Sequence, residues 1–165
     1  MSRHEPFMQL ALKQAELAFS RAEVPVGAVL TDGEGKILSV AHNAPVSLND
    51  PTAHAEVLAL RRAASLTKNY RLPGTVLYTT LEPCAMCVGA MIHARVGMLV
   101  FGAADPKGGA AGSVVDLTRA PCLNHYIEVV GGVLSEACSE MLQRFFRARR
   151  EEMKKVASGE VPKWP

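Results

Sequence analysis

His54-Ala55-Glu56 and Pro83-Cys84-Ala85-Met86-Cys87 are the two short segments of this chain whose residue types and spacing can do chemistry. One imidazole and two thiols make three zinc-type ligands, and a catalytic zinc site keeps three protein ligands plus one open position. Glu56 is then a carboxylate to spare, suited to act as a base beside a metal-activated water. Cys84 and Cys87 stand three positions apart, so the first turn of one helix can turn both sulfurs to one side. The partly positive amides of that turn favour thiolates, and Pro83 suits a helix start. His54 begins a different helix, with Glu56 on its first turn. His54, Cys84 and Cys87 are therefore the expected ligands of one Zn2+ and Glu56 the expected proton shuttle. Other uses stay open. Glu56 as a fourth ligand would close the site, and His93 or Cys122 as a further ligand would make the zinc structural. A bare CxxC can also be a redox pair, although here it follows a third strand and has an upstream His-x-Glu partner.

Positioning these groups falls to a chain that alternates helices and strands. Phe7, Leu10, Ala11, Leu17 and Ala18 recur at helical spacing and predict an amphipathic helix over 6–22. Strands over 24–30 and 36–41, joined by Asp32-Gly33-Glu34-Gly35, read as a hairpin. A loop (43–52), a helix (53–65), a strand (75–80), a helix (84–94) and a strand (98–101) follow. Residues 102–121 read as a Gly/Ala-rich connection with one helical turn at 114–117. A fifth strand (126–130) and a long helix (135–156) complete the order. Such alternation predicts an α/β fold, a central sheet covered on both faces. Residues 1–156 read as one domain and 157–165 as a flexible tail.

Composition narrows the function classes. A chain of 165 residues with 48% hydrophobic and 21% charged residues suffices for one domain with its own core. Aromatics are only 5%, so that core must rest on Ala, Val, Leu and Met. No apolar run of about 18 residues predicts a transmembrane helix. Arg3, His4 and Glu5 near the start do not read as a secretory signal, so a cytoplasmic protein with reduced thiols is expected. Cys122 and Cys138 lack ligand spacing and read as small buried hydrophobes. Residues 144–155, RFFRARREEMKK, hold six basic and two acidic residues, +4 in a chain of net +2, so the remainder carries −2. A basic end is the footprint of an anionic partner such as RNA. From charge alone, a solvated helix end is the plainer reading.

Longer stretches add to the zinc pattern: VPVGAV (24–29), Asn43, DPTAHAE (50–56), NYR (69–71), LEPCAMC (81–87), GAMIH (89–93), VFG (100–102), Asp105, Lys107, GAAGS (109–113), Asn124-His125 and FFR (145–147). On these, which span most of 5–153, the chain resembles the cytidine/deoxycytidylate deaminase superfamily, whose H-x-E…P-C-x-x-C signature marks zinc nucleobase deaminases. It resembles more closely the bacterial tRNA-specific adenosine deaminases. That resemblance implies a three-layer α/β/α cytidine-deaminase-like fold with a central five-stranded mixed sheet, a homodimer and one zinc per subunit. The implied reaction is hydrolytic deamination of adenosine to inosine at the wobble position of a tRNA anticodon loop, with release of ammonia. It gives His54, Cys84 and Cys87 as ligands, Glu56 as proton shuttle and Asn43 as the partner of the target nucleoside. Asp105, Lys107 and Asn124 then meet the anticodon loop, and Phe145, Arg147, Arg149 and Arg150 the flanking nucleotides. Core packing is the other use for one of Phe145 and Phe146.

Two rivals share parts of this pattern. Guanine deaminases also carry an NDPTAHAEV-like stretch, but a free base needs neither a GAAGS loop nor the basic FFRARR helix. A zinc-folded RNA-binding module without catalysis has no use for the uncoordinated Glu56.

Overall fold

The computed structural model describes residues 2–159. Helix α1 (Glu5–Ser20) buries Met8, Ala11, Ala15 and Ala18 along one stripe of three- and four-residue steps. It lies so close to the sheet that any Cβ on Gly27 would strike the Ala11 carbonyl oxygen, so only glycine fits there. The predicted hairpin forms from β1 (Gly27–Thr31) and β2 (Ile37–His42). Its turn is closed by Asp32, whose carboxylate accepts the Glu34 and Lys36 N–H groups at 2.9 Å. There follow α2 (Pro45–Leu48), α3 (Ala55–Thr67), β3 (Val76–Leu81), α4 (Ala85–Ala94), β4 (Met98–Ala103), β5 (Glu128–Val130) and α5 (Ser135–Ala157).

The sheet runs β2-β1-β3-β4-β5. β1 is antiparallel to both its neighbours, whereas β3, β4 and β5 are parallel. All five residues of β1 are buried, because both faces of the sheet are covered. Ala28 and Leu30 pack with Leu58, Val88 and Met91 of α3 and α4; Val29 packs with Met8, Ala11 and Cys138 of α1 and α5. Leu30 pairs with Leu77 and Leu77 with Leu99, a fully buried row across three strands. Burying each contributes about 2 kcal/mol.

Three local expectations change. Residues 114–117 form no helical turn; Ala111 bridges Asp116 and the Gly112 N–H bonds to the Val115 carbonyl at 3.0 Å, a tight reversal. β5 begins at Glu128 rather than 126, because the Ile127 N–H pairs with the Thr118 carbonyl instead of the sheet. α2 occupies part of the expected loop; at four residues it has no period to read, and Glu23 holds it from outside. That carboxylate accepts the Val46 and Ser47 N–H groups at 3.3 and 2.6 Å. Of the expected tail, Ala157 closes α5, and 160–165 lie outside the described residues.

Register places the site. Gly27 opposes His42, Ala28 opposes Thr79 and Leu81 opposes Ala103. The start of β1 and the ends of β2, β3 and β4 therefore share one edge of the sheet. The carboxyl ends of parallel strands are where open α/β sheets bind ligands.

Candidate active site

Helices α3 and α4 both begin at that edge, and both withhold their N-cap side chains from capping. His54 caps α3 in an extended conformation (φ −72°, ψ 149°) without a side-chain cap bond. Asn43 does that work from β2's end, its Oδ1 accepting the Ala55 N–H at 2.8 Å. The imidazole is thereby released for other use. Cys84 caps α4 in the same way (φ −74°, ψ 171°), which makes Cys87 the third helical residue. N-cap and N3 side chains meet across a first turn, and the two Sγ atoms lie 3.7 Å apart. His54 Nδ1 is 3.7 Å from Cys84 Sγ and 3.5 Å from Cys87 Sγ.

This triangle fits zinc. Tetrahedral bonds of about 2.3 Å to sulfur and about 2.1 Å to nitrogen span about 3.8 Å from S to S and about 3.6 Å from S to N. Among the described residues it is the group of His, Cys, Asp or Glu whose ligand atoms lie within 4.8 Å of one another. Glu56 is not in it, nor are His93 and Cys122, both exposed. The set is thus three ligands with no fourth, and Cys87 is fully buried while His54 and Cys84 stay partly open.

Charge follows the same logic. The Cys87 side chain, then His54, hold the Cys84 thiol down at about 3. The Cys84 side chain and burial push Cys87 up, and Cys84 raises His54. Ligation needs both thiols deprotonated and the imidazole neutral, so a divalent cation displaces any protons the three groups carry when it binds. Glu56 is 3% exposed, and the Thr79 hydroxyl donates to its Oε1 at 3.4 Å. Burial raises its carboxyl above the usual range, which suits a group that must return a proton as well as take one.

Two hollows adjoin the site. One, about 430 Å³, is lined by Asn43, Val46 and Arg149 among others; the second, about 870 Å³, by Asp105, Lys107 and Arg147. They share Val24, Phe146 and Arg150, so together they make a furrow from Asn43 to Lys107. With Oδ1 bound to a backbone N–H, the Asn43 amide orientation is fixed. The described residues offer its Nδ2 no acceptor.

Some expected positions fall elsewhere. Phe145 is 3% exposed and packs edge-on against Phe19 and Phe146, with centroids 5.5 and 5.4 Å away. It continues the buried stripe of Cys138 and Met141, and the next residue round the helix, Phe146, carries the exposed ring at 45%. Arg147 and Arg150 are exposed, and Arg149 is half-buried. Asn124 is not at this edge. Its Oδ1 accepts from Arg95 Nη1 at 2.8 Å, and Arg95 is the C-cap of α4, about 15 Å along the helix from Cys84. Cys138 is buried and pushed up to about 11 by burial, but Cys122 is exposed on a surface loop, contrary to expectation. Sequence reasoning gave no role to Glu23, Thr79 or Glu82, and named Phe146 only beside Phe145 as a candidate for the core. Glu23 and Glu82 carried a signal: each is an acidic residue set in an apolar run, Ala22-Glu23-Val24 and Leu81-Glu82-Pro83.

Residues 1–103 match the family described as the cytidine and deoxycytidylate deaminase zinc-binding region. A tRNA-specific adenosine deaminase of Haemophilus influenzae is 49% identical over 150 residues, 91% of this chain and 87% of that protein. The chain belongs to the tRNA-specific adenosine deaminase family. A solved structure from work on A-to-I editing by tRNA:A34 deaminases superposes with a TM-score of 0.81 at 44% identity, covering 83% of this chain and 99% of that one. Guanine deaminase of Bacillus subtilis shares the fold less closely, with a TM-score of 0.60 and 32% identity over 91% of this chain and 95% of that one. The deaminase is therefore a three-layer α/β/α zinc enzyme of the implied class, with His54, Cys84 and Cys87 placed to hold the ion. Among its described residues no helix is long and apolar enough to cross a membrane.

Proposed function

We propose that this deaminase hydrolyses adenosine to inosine at the wobble position (34) of a tRNA anticodon, releasing ammonia. The observation that carries this reading is the three-ligand triangle with uncoordinated Glu56 beside it, opening next to a furrow with a basic edge. When bound, Zn2+ would lower the pKa of a water to about 7. Glu56 takes a proton from the attacking water as its oxygen bonds C6 of adenine, and passes that proton to ring N1. The second proton goes by the same carboxyl to N6, the C6–N6 bond breaks, and ammonia leaves C6 as a carbonyl. Asn43 donates its Nδ2 hydrogens to the target nucleoside. C6 cannot be reached in stacked RNA, so the base must be splayed out. Phe146, rather than Phe145, offers the ring for a neighbouring base. Asp105, Lys107, Arg147 and Arg150 line the edge for sugar and phosphate, with Arg149 behind them.

A free purine needs no such edge, which favours RNA over guanine as substrate. The homodimer belongs to this reading, because Asn124 stands far from its own chain's ligands and meets an anticodon loop only at a second chain's site. So does a cytoplasmic location, where tRNA is met.

Zinc-loaded protein incubated with a synthetic anticodon stem-loop carrying adenosine at the wobble position should yield inosine, with free guanine left intact. Guanine turnover with an untouched stem-loop would overturn the reading. The basic edge has its own test. Arg147→Glu with Arg150→Glu should weaken stem-loop binding at least about tenfold at physiological salt. Losing two phosphate contacts should also make the salt dependence shallower by about 1.4 in log–log slope. An unchanged slope would return α5 to an ordinary solvated helix.

A further inference from the structure

We propose that Glu82 is a positioning residue for the substrate-holding loop, resting on the function proposed above. Glu82 lies two residues before Cys84 and is 2% exposed. Its carboxylate meets no lysine or arginine among the described residues and is filled instead by donors from one loop. Oε2 accepts the Asp105 N–H at 3.0 Å, and Oε1 accepts the Ala111 and Ser113 N–H groups at 3.1 and 3.0 Å. The Ser113 hydroxyl donates to Oε2 as well. A buried carboxylate without a cation is costly unless its oxygens are hydrogen-bonded, so the loop must close around it in one way.

Two features show that the chain is shaped for this contact. Gly109 passes over the carboxylate so closely that a Cβ there would lie 2.6 Å from Oε1. The Ala110 N–H bonds to the Pro83 carbonyl at 2.9 Å, a second tie between the loop and the strand end that leads into the ligands. The loop so held carries Asp105 and Lys107 on the furrow. Asp105 is fixed at its own N–H, and its Oδ1 accepts the Lys107 N–H at 3.0 Å. Glu82 thus fixes the distance between the reacting centre and the groups that grip the nucleic acid, while touching neither metal nor substrate.

Glu82→Gln puts an amide donor against at least one backbone N–H that needs an acceptor, and weakens the remaining bonds by removing the charge, at constant size. Such a chain should keep its zinc, and its kcat on the stem-loop should stay within about threefold of wild type. Its KM should rise at least about tenfold, because contacts that bind ground and transition states alike act on KM. Ser113→Ala, which removes one surface donor, should raise KM about threefold and covers the case in which Glu82→Gln fails to fold. An unchanged KM in either variant, or loss of zinc and kcat together in Glu82→Gln, overturns the proposal. Amide hydrogen exchange reads the same device without substrate. Asp105, Ala111 and Ser113 should exchange at least about tenfold faster in Glu82→Gln while the Leu30–Leu77–Leu99 row keeps its protection. Unchanged exchange refutes the role of Glu82, whereas a stem-loop untouched by wild type refutes the assigned substrate alone.

Discussion

Glu56→Gln should bind one zinc per chain, bind the stem-loop within about threefold of wild type, and form inosine roughly 10⁴-fold more slowly. The zinc stays because Glu56 lies outside the 4.8 Å ligand group. RNA binding stays because the furrow is lined by other residues. Loss of a general acid–base group costs about 10² to 10⁴ in rate. The upper end applies where one carboxyl serves both transfers, the role proposed for Glu56, which would take the water's proton and deliver protons to N1 and N6. Single-turnover inosine formation, with metal analysis on the same sample, reads the result. Turnover near wild type would remove Glu56 from the chemistry. Zinc lost in step with turnover would instead make it a ligand, which the geometry of the triangle does not support.

Removing a ligand should act on the whole molecule. Cys87→Ala and His54→Ala should each retain less than about a tenth of a zinc per chain and show no inosine above background. If wild type is saturated at about 1,000 times its Kd, the ion contributes about 4 kcal/mol to stability. For a domain of this size that corresponds to about 10 °C in Tm. The ligands tie the starts of α3 and α4 together, so stability is lost at the edge that holds the site. Chelated wild type should melt near the variants, which separates loss of the ion from the small cavity left at Cys87. Full zinc occupancy in either variant, or a chelated protein as stable as the loaded one, would sink the assignment.

The zinc chemistry was readable in sequence because it is local. Cys84 and Cys87 needed only one helix turn to meet, and Glu56 needed only the turn after His54. The layered fold was readable for a similar reason, since strand and helix periods alternate along the chain. What failed were features whose cause lies far away in sequence. The helical turn expected at 114–117 is replaced by a reversal against residues 109–112, and Glu82, some thirty residues earlier, ties down Ala111 and Ser113 beside it. The Asn, Pro, Ser and Asp of 43–52 read as a loop, and the helical turn of α2 within it is held from outside by Glu23. Phe145 and Phe146 are adjacent and alike, and only the position of α5's buried stripe decides which ring faces outward.

By itself, then, the sequence determined the ligand types, the spare carboxylate, the order of elements and the family resemblance, because each depends on neighbours within a turn or on a repeating period. Tertiary structure alone decided that the N-termini of α3 and α4 converge, with Nδ1 and two Sγ atoms 3.5 to 3.7 Å apart. It decided that Asn43 caps α3 in place of His54, that Phe146 and not Phe145 is the exposed ring, and that Asn124 stands at the far end of α4. Strand register and helix rotation set these distances, and both are fixed by burial against distant parts of the chain.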